Sequence, residues 1–323
     1  MSTVVQAPPA VPGTAPGAAG DRRPGAGLIA RIRPALLLAP ALIVMGVLLL
    51  WPLIRVVIIS FQDYGLREMN QGTTNFNGVD NYVELFSSEQ LWSTVLPNTV
   101  VFAIVAVVST VAFGTAVAVL MANLGTLWRT IVGAAIMVAW AMPAVTGTYV
   151  WMWFFDTDKG LLNTWLQGIG LQDEPFNWFT NRYTFYAVVL LNIVHHGFPF
   201  VAVTVLAGLL SVPKEMLEAA EMDGAGPWRR FWRIIVPNLR QVFTVVIILS
   251  TIWDMKIFTQ VFLMPAGDGR NRDVINLGTW TFIQSFGQGR YGFGSAIAVV
   301  LTLLLLIVTV VYVRTLMKEE EEL

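Results

Sequence analysis

The chain has 323 residues, 55% of them hydrophobic and 13% charged, with a net charge of −1 and no cysteine. Soluble domains usually carry about a quarter charged residues, so this much apolar surface on so short a chain points to lipid as its surroundings. The near-zero charge offers no global field to draw nucleic acid, and the lack of cysteine excludes a disulfide framework, thiolate metal sites and a cysteine nucleophile.

The first 27 residues are rich in Pro, Ala and Gly and have no apolar periodicity. A disordered tail is expected over residues 1–33, on the cytoplasmic side. Arg22, Arg23, Arg31 and Arg33 then precede a long apolar run. That run reaches about Phe61, longer than a signal-peptide core, and no small-residue cleavage site follows it, so it reads as an uncleaved first span.

A helix needs roughly 20 apolar residues to cross about 30 Å of hydrocarbon. Six segments qualify, at about 35–61, 95–122, 130–155, 184–209, 240–263 and 292–316. Long continuous runs such as Val299 to Val313 exclude the short alternating strands of a membrane barrel. The fold expected is an all-α integral membrane domain over 34–317, with an acidic cytoplasmic tail at 318–323. With both termini inside, the inner side collects 12 Lys and Arg residues, among them Arg229, Arg230 and Arg233, and the outer side six. That bias sets the orientation. Pro143 interrupts the third span after Trp140, Ala141 and Met142. It removes a backbone hydrogen bond and kinks the helix. Such a break either lines a cavity or serves packing between helices.

Between the fourth and fifth spans, residues 209–237 read as a helix, a sharp turn and a second helix. Pro213 suits a helix start, and Lys214 to Asp223 contains no helix breaker. Gly224 and Gly226 supply backbone freedom for the turn. Pro227 opens the second helix, on which Trp228, Phe231, Trp232 and Ile235 form an apolar stripe with the arginines largely off it. Pro237 ends the unit. On these grounds alone the segment is an amphipathic hairpin whose arginines meet anionic lipid headgroups.

The residues in it also form a longer pattern. Glu218-Ala219-Ala220, two residues, Asp223-Gly224-Ala225, five residues, Phe231, two residues, Ile234, one residue and Pro237 resemble the EAA loop of ABC importer permeases. The one departure is Val236, where that family usually has Leu. Trp51-Pro52-Leu53 with Ser60-Phe61, the Asn75 to Tyr82 stretch with Phe76, Gly78 and Asn81, Asn98-Thr99, and Tyr291 to Ala296 are similar to the maltose-type sugar permeases. The resemblance covers roughly residues 35–316 and is weakest at Leu263 to Gly267.

The resemblance implies six transmembrane helices with a cytoplasmic helix-turn-helix coupling loop between helices 4 and 5. It implies a permease subunit that passes a mono- or oligosaccharide across the cytoplasmic membrane, driven by ATP hydrolysis on a separate subunit. Glu218, Ala219, Ala220, Asp223, Gly224, Ala225 and Pro237 would form the surface that docks on the ATPase. The implied partners are a second, homologous permease, a cytoplasmic ATPase dimer and an extracytoplasmic solute-binding protein. The chain has no phosphate-binding loop of its own. Its Gly287-Gln288-Gly289-Arg290-Tyr291-Gly292 follows no buried strand, and no cofactor is expected.

Sugar sites combine aromatic faces with polar groups that fix orientation. Trp140, Asn192, His196, Trp253, Asp254 and Gln260 are the candidates for the solute pathway. Asp254 and Lys256 stand out because charges within a span are costly and often functional. Adjacent His195 and His196 diverge on a helix, and with no third ligand nearby a metal site is not expected. Two other function classes remain in view. An ion-gradient-driven transporter often shows internal repeats and midplane ionisable residues, neither of which is evident here. An intramembrane enzyme needs a poised nucleophile, base or metal set, and none is found. Glycerol phosphate is the alternative solute.

Overall fold

The computed structural model describes residues 38–265 and 271–321. The expected tail over 1–33 and part of the weakest stretch of resemblance, Ala266-Gly267, lie outside those residues. The chain divides into two compact units, Met1–Leu53 and Ile54–Leu323.

Among the described residues five helices are long and apolar enough to cross a bilayer, and a bent pair supplies a sixth crossing. The first is α1, Leu38–Ile59. Two short strands, β1 (Gln62–Asp63) and β2 (Asn75–Phe76), pair antiparallel around α2, Leu66–Gln71. Helix α3 (Asp80–Ser87) leads into the second crossing, α4 (Leu91–Ala122). The bent pair is α5 (Thr126–Trp140) and α6 (Ala144–Phe154), followed by the short α7 (Leu161–Gly168). The fourth crossing is α8, Arg182–Leu209. The hairpin consists of α9 (Lys214–Met222) and α10 (227–238). The fifth crossing is made of α11 (Arg240–Met255) and α12 (Thr259–Leu263). After α13 (277–287) comes the last crossing, within α14 (Tyr291–Glu321). Its backbone stays helical into the acidic run, through 319–321.

The third crossing differs from the single kinked helix expected. Its two halves meet at 91°. Proline disfavours helical backbone at the residue before it, and Pro143 itself has ψ 134°, outside the helical range. The chain therefore leaves one helix at Ala141 and starts another at Ala144, where a kink within one helix was expected.

Three other prolines are absorbed differently. Pro52, Pro97 and Pro237 each sit inside a helix, and each follows a π turn: Gly46–Leu50, Leu91–Val95 and Phe231–Ile235. In each, the residue before the proline donates its N–H five residues back: Trp51 to Gly46, Leu96 to Leu91, Val236 to Phe231. A proline ring in a regular α turn collides with the carbonyl four residues earlier. Widening the turn by one residue moves that carbonyl aside and lets the helix continue. Pro199, inside α8, is accommodated without such a turn.

At the centre of the second unit α4 packs on α8. A Cβ placed on Gly114 would lie 2.6 Å from Val201 Cβ, and one on Gly197 would lie 2.9 Å from Thr110 Cγ2. In lipid, where burying apolar surface gains little, small residues that let backbones approach hold helices together. Phe102, Phe185, Val188 and Val189 from this pair join Ile257, Val261 and Met264 in one buried cluster.

Asparagines tie the end of this core away from the hairpin. Asn98 Nδ2 donates to the carbonyls of Asp273 and Ile275, both at 2.8 Å. The hydroxyl of Thr99 accepts the Leu277 N–H at 2.9 Å, and Asn276 Nδ2 donates to the Ile257 carbonyl at 2.8 Å. Asn81 Nδ2 likewise donates to the carbonyls of Ser60 and Gln62, each at 2.9 Å. Irregular backbone at such depth is tolerated when side chains satisfy its carbonyls. These bonds hold the 271–276 segment against α4 and the end of the fifth crossing.

Candidate functional site: a hairpin and a cleft

The turn of the hairpin is closed by backbone chemistry. Gly224 has φ +76°. Its N–H donates to Glu221 at 3.0 Å, and the Ala225 N–H donates to Ala220 at 2.9 Å. This pair of bonds is the Schellman termination, which needs a left-handed residue that glycine adopts freely. A Cβ on Gly224 would meet nothing within 4 Å, so the demand for glycine is conformational. Gly226, with φ −64°, makes no such demand and caps α10. Pro213 is the residue before α9, outside its first turn, and Pro237 lies one residue before the end of α10 at Asn238.

Arg230 on α10 pairs with Glu221 on α9 at 2.9 Å and links the two helices. Glu218, Ala219, Asp223, Gly224 and Pro237 are exposed, and Ala220 and Ala225 are half-buried. The turn thus presents one carboxylate on each side of a small-residue surface. On α10, Trp228 and Trp232 are also exposed, at 74% and 52%.

The second feature is a cleft of about 370 Å³ beside α8 and the fifth crossing. Five of the six residues named for the solute pathway line it: Trp140, His196, Trp253, Asp254 and Gln260. They come together because two chain breaks converge here. Trp140 ends α5 at the bend, and Asp254 and Gln260 flank the break between α11 and α12, Asp254 one residue before the end of α11 and Gln260 second in α12. Asn192 does not line the cleft. It is buried one turn before His196 on α8, and its Nδ2 has no partner. His195 faces away from His196, against the ring of Trp151 at 5.8 Å.

The aromatic wall continues behind the cleft, where Phe200 stacks on Trp140 at 6.3 Å and meets Trp253 edge-on at 5.1 Å. Asp254 is 8% exposed, and its Oδ2 finds no hydrogen-bond partner in the protein. Buried polar atoms are nearly always paired, so an orphan acceptor on a cleft wall marks a place where a ligand or water donates. Ile193, Gly197, Phe258 and Thr259 also line the cleft. Nothing in the pattern of charge and aromatics singled them out. The break between α11 and α12, marked by no proline or glycine, is what brings Phe258 and Thr259 in.

A chain of broken transmembrane helices around a polar cleft, with a helical hairpin between crossings four and five, has direct counterparts. Residues 114–318 match the family described as binding-protein-dependent transport system inner membrane component. The chain belongs to that family, whose members are multi-pass inner-membrane transport subunits.

Among individual relatives, the chain is 34% identical over 307 residues to the diacetylchitobiose uptake system permease protein DasB of Streptomyces coelicolor, covering 95% of this chain and 93% of that one. It is 30% identical to the trehalose/maltose transport system permease protein MalF of Thermococcus litoralis, over 74% of this chain and 79% of the relative. Among solved structures, a chain of a bacterial ABC transporter for import of the acidic polysaccharide alginate aligns with a TM-score of 0.73 at 20% identity. That alignment covers 89% of this chain and 98% of its counterpart, and it shows a shared fold.

Proposed function

We propose that this chain is the permease subunit of an ATP-driven sugar importer. Its hairpin is the part gripped by a separate cytoplasmic ATPase, and the cleft at Trp253 and Asp254 is the path of the sugar. The chain has no phosphate-binding loop, so the energy comes from that partner. The excess of Lys and Arg on the hairpin side supports cytoplasmic termini and a cytoplasmic hairpin. A second, similar permease completes the path, and an extracytoplasmic binding protein delivers the solute. Relatives that carry disaccharides support a mono- or oligosaccharide as that solute.

The observation that carries this reading is the turn at Gly224, which holds Glu218 and Asp223 exposed on a rigid, small-residue surface. Docked on a moving ATPase, such a rigid unit transmits displacement to α8 and the fifth crossing as a whole. Sugar uptake into vesicles carrying the assembled transporter tests it. Glu218→Arg and Gly224→Leu should abolish uptake and co-purification of the ATPase while the chain still inserts. Trp253→Ala should lower uptake with the ATPase still bound. Full uptake in the hairpin variants refutes the docking surface; unchanged uptake in Trp253→Ala refutes the path.

A further inference from the structure

Asp254 is an ionisable group placed where a membrane protein rarely tolerates one. Its neighbours explain little of it. The other side chains of the cleft with polar or titratable groups are Trp140, His196, Trp253, Lys256, Thr259 and Gln260, and none makes a hydrogen bond to Asp254 Oδ2. Lys256 lies just past the end of α11, on the rim of the same cleft. Lys256 is exposed, whereas Asp254 is 92% buried. Solvent screens exposed charges strongly and buried ones far less, so an ionised Asp254 dominates the field inside the cleft.

Resting on the reading of this cleft as the solute path, we propose that Asp254 sets the charge class of the solute: neutral sugars pass, and acidic sugars are rejected. A pyranose lays its apolar face on Trp140 or Trp253 and turns a hydroxyl toward the orphan Oδ2, supplying the donor that the protein withholds. A sugar bearing a carboxylate keeps such hydroxyls but brings a like charge to a poorly screened site. Specificity of this kind comes from repulsion as well as from fit.

Saturation-transfer NMR on the assembled permease pair in nanodiscs, without the binding protein and in mildly alkaline buffer, reads this directly. The neutral probes are maltose, trehalose and N,N′-diacetylchitobiose; the acidic probe is digalacturonate. The wild type should bind at least one neutral probe and bind digalacturonate at least roughly tenfold more weakly. Asp254→Asn should weaken the neutral probe yet bring the two toward parity, and Asp254→Glu should keep the acid excluded. Asp254→Ser replaces the Asn variant if that one fails to fold. Digalacturonate binding as well as the neutral probes in the wild type, or exclusion that persists without the carboxylate, overturns the proposal alone. Failure of every neutral probe to bind, or neutral binding unaffected by Trp253→Ala, overturns the cleft as solute path and this inference with it.

Discussion

Arg230 Nη1 stands 2.9 Å from Glu221 Oε2, and this pair is the one ion pair joining the two helices of the hairpin among the described residues. Glu221 is well exposed and Arg230 only partly so, so the pair contributes about 0.2–1 kcal/mol. A double-mutant cycle with Arg230→Gln and Glu221→Gln, followed by thermal unfolding in detergent, should return a coupling in that range that shrinks with added salt. The charge-swapped double variant should recover uptake that either single swap loses.

Gly224 tests conformation against contact. Holding a side chain in left-handed backbone costs about 1–2 kcal/mol, and no atom stands near enough to clash. Uptake should therefore fall in the order Gly, Asn, Ala, Val, because asparagine tolerates this region best after glycine. An order set by side-chain volume alone, with Ala above Asn, counts against the strain argument.

Asn98 donates to two carbonyls and is buried. Asn98→Ala leaves Asp273 and Ile275 short of a donor, at a cost of about 1–3 kcal/mol for each unpaired group. Asn98→Asp should cost more, because an ionised carboxylate cannot donate to a carbonyl. Thermal unfolding of the detergent-solubilised protein checks both, and Asp milder than Ala contradicts the assignment.

Gly197 sets the approach of α8 to α4. Gly197→Ala pushes a methyl group to 2.9 Å from Thr110 Cγ2. Overpacking of that kind costs about 1–3 kcal/mol. Thr110→Ser removes the offending methyl, so the double variant should recover most of the lost stability. Without that recovery the contact is not the source of the cost.

Much of this architecture was legible in the residues. The bounds of five crossings fall within a few positions of those read from hydropathy, since apolar length is a direct physical requirement of the bilayer. The hairpin was legible because Gly224, Pro227 and the Trp228 stripe each restrict backbone or face. The assignment of the turn to both Gly224 and Gly226 went too far: two glycines look alike in sequence, and only the hydrogen bonds of Ala225 and Gly224 show which one turns left-handed. The right angle at Pro143 was not legible either, because a proline permits both a kink and a break and the neighbouring helices decide. For the cleft, polar and aromatic residues within spans pointed to five of its lining residues. Asn192 was included on chemistry alone, and its place on α8, one turn short, leaves it behind the wall.

The π turn at Phe231–Ile235 carries an extra residue inside α10, between the hairpin's turn and the fifth crossing. At 3.6 residues per turn one residue is about 100° of rotation, so this insertion shifts the azimuth of the α10 residues that follow it. Excising a single position there would turn Val236, Pro237 and Asn238 about a quarter-circle against Trp228 around the α10 axis. A local device that spares Pro237 a collision thereby also sets the direction in which the hairpin hands the chain on to the next crossing.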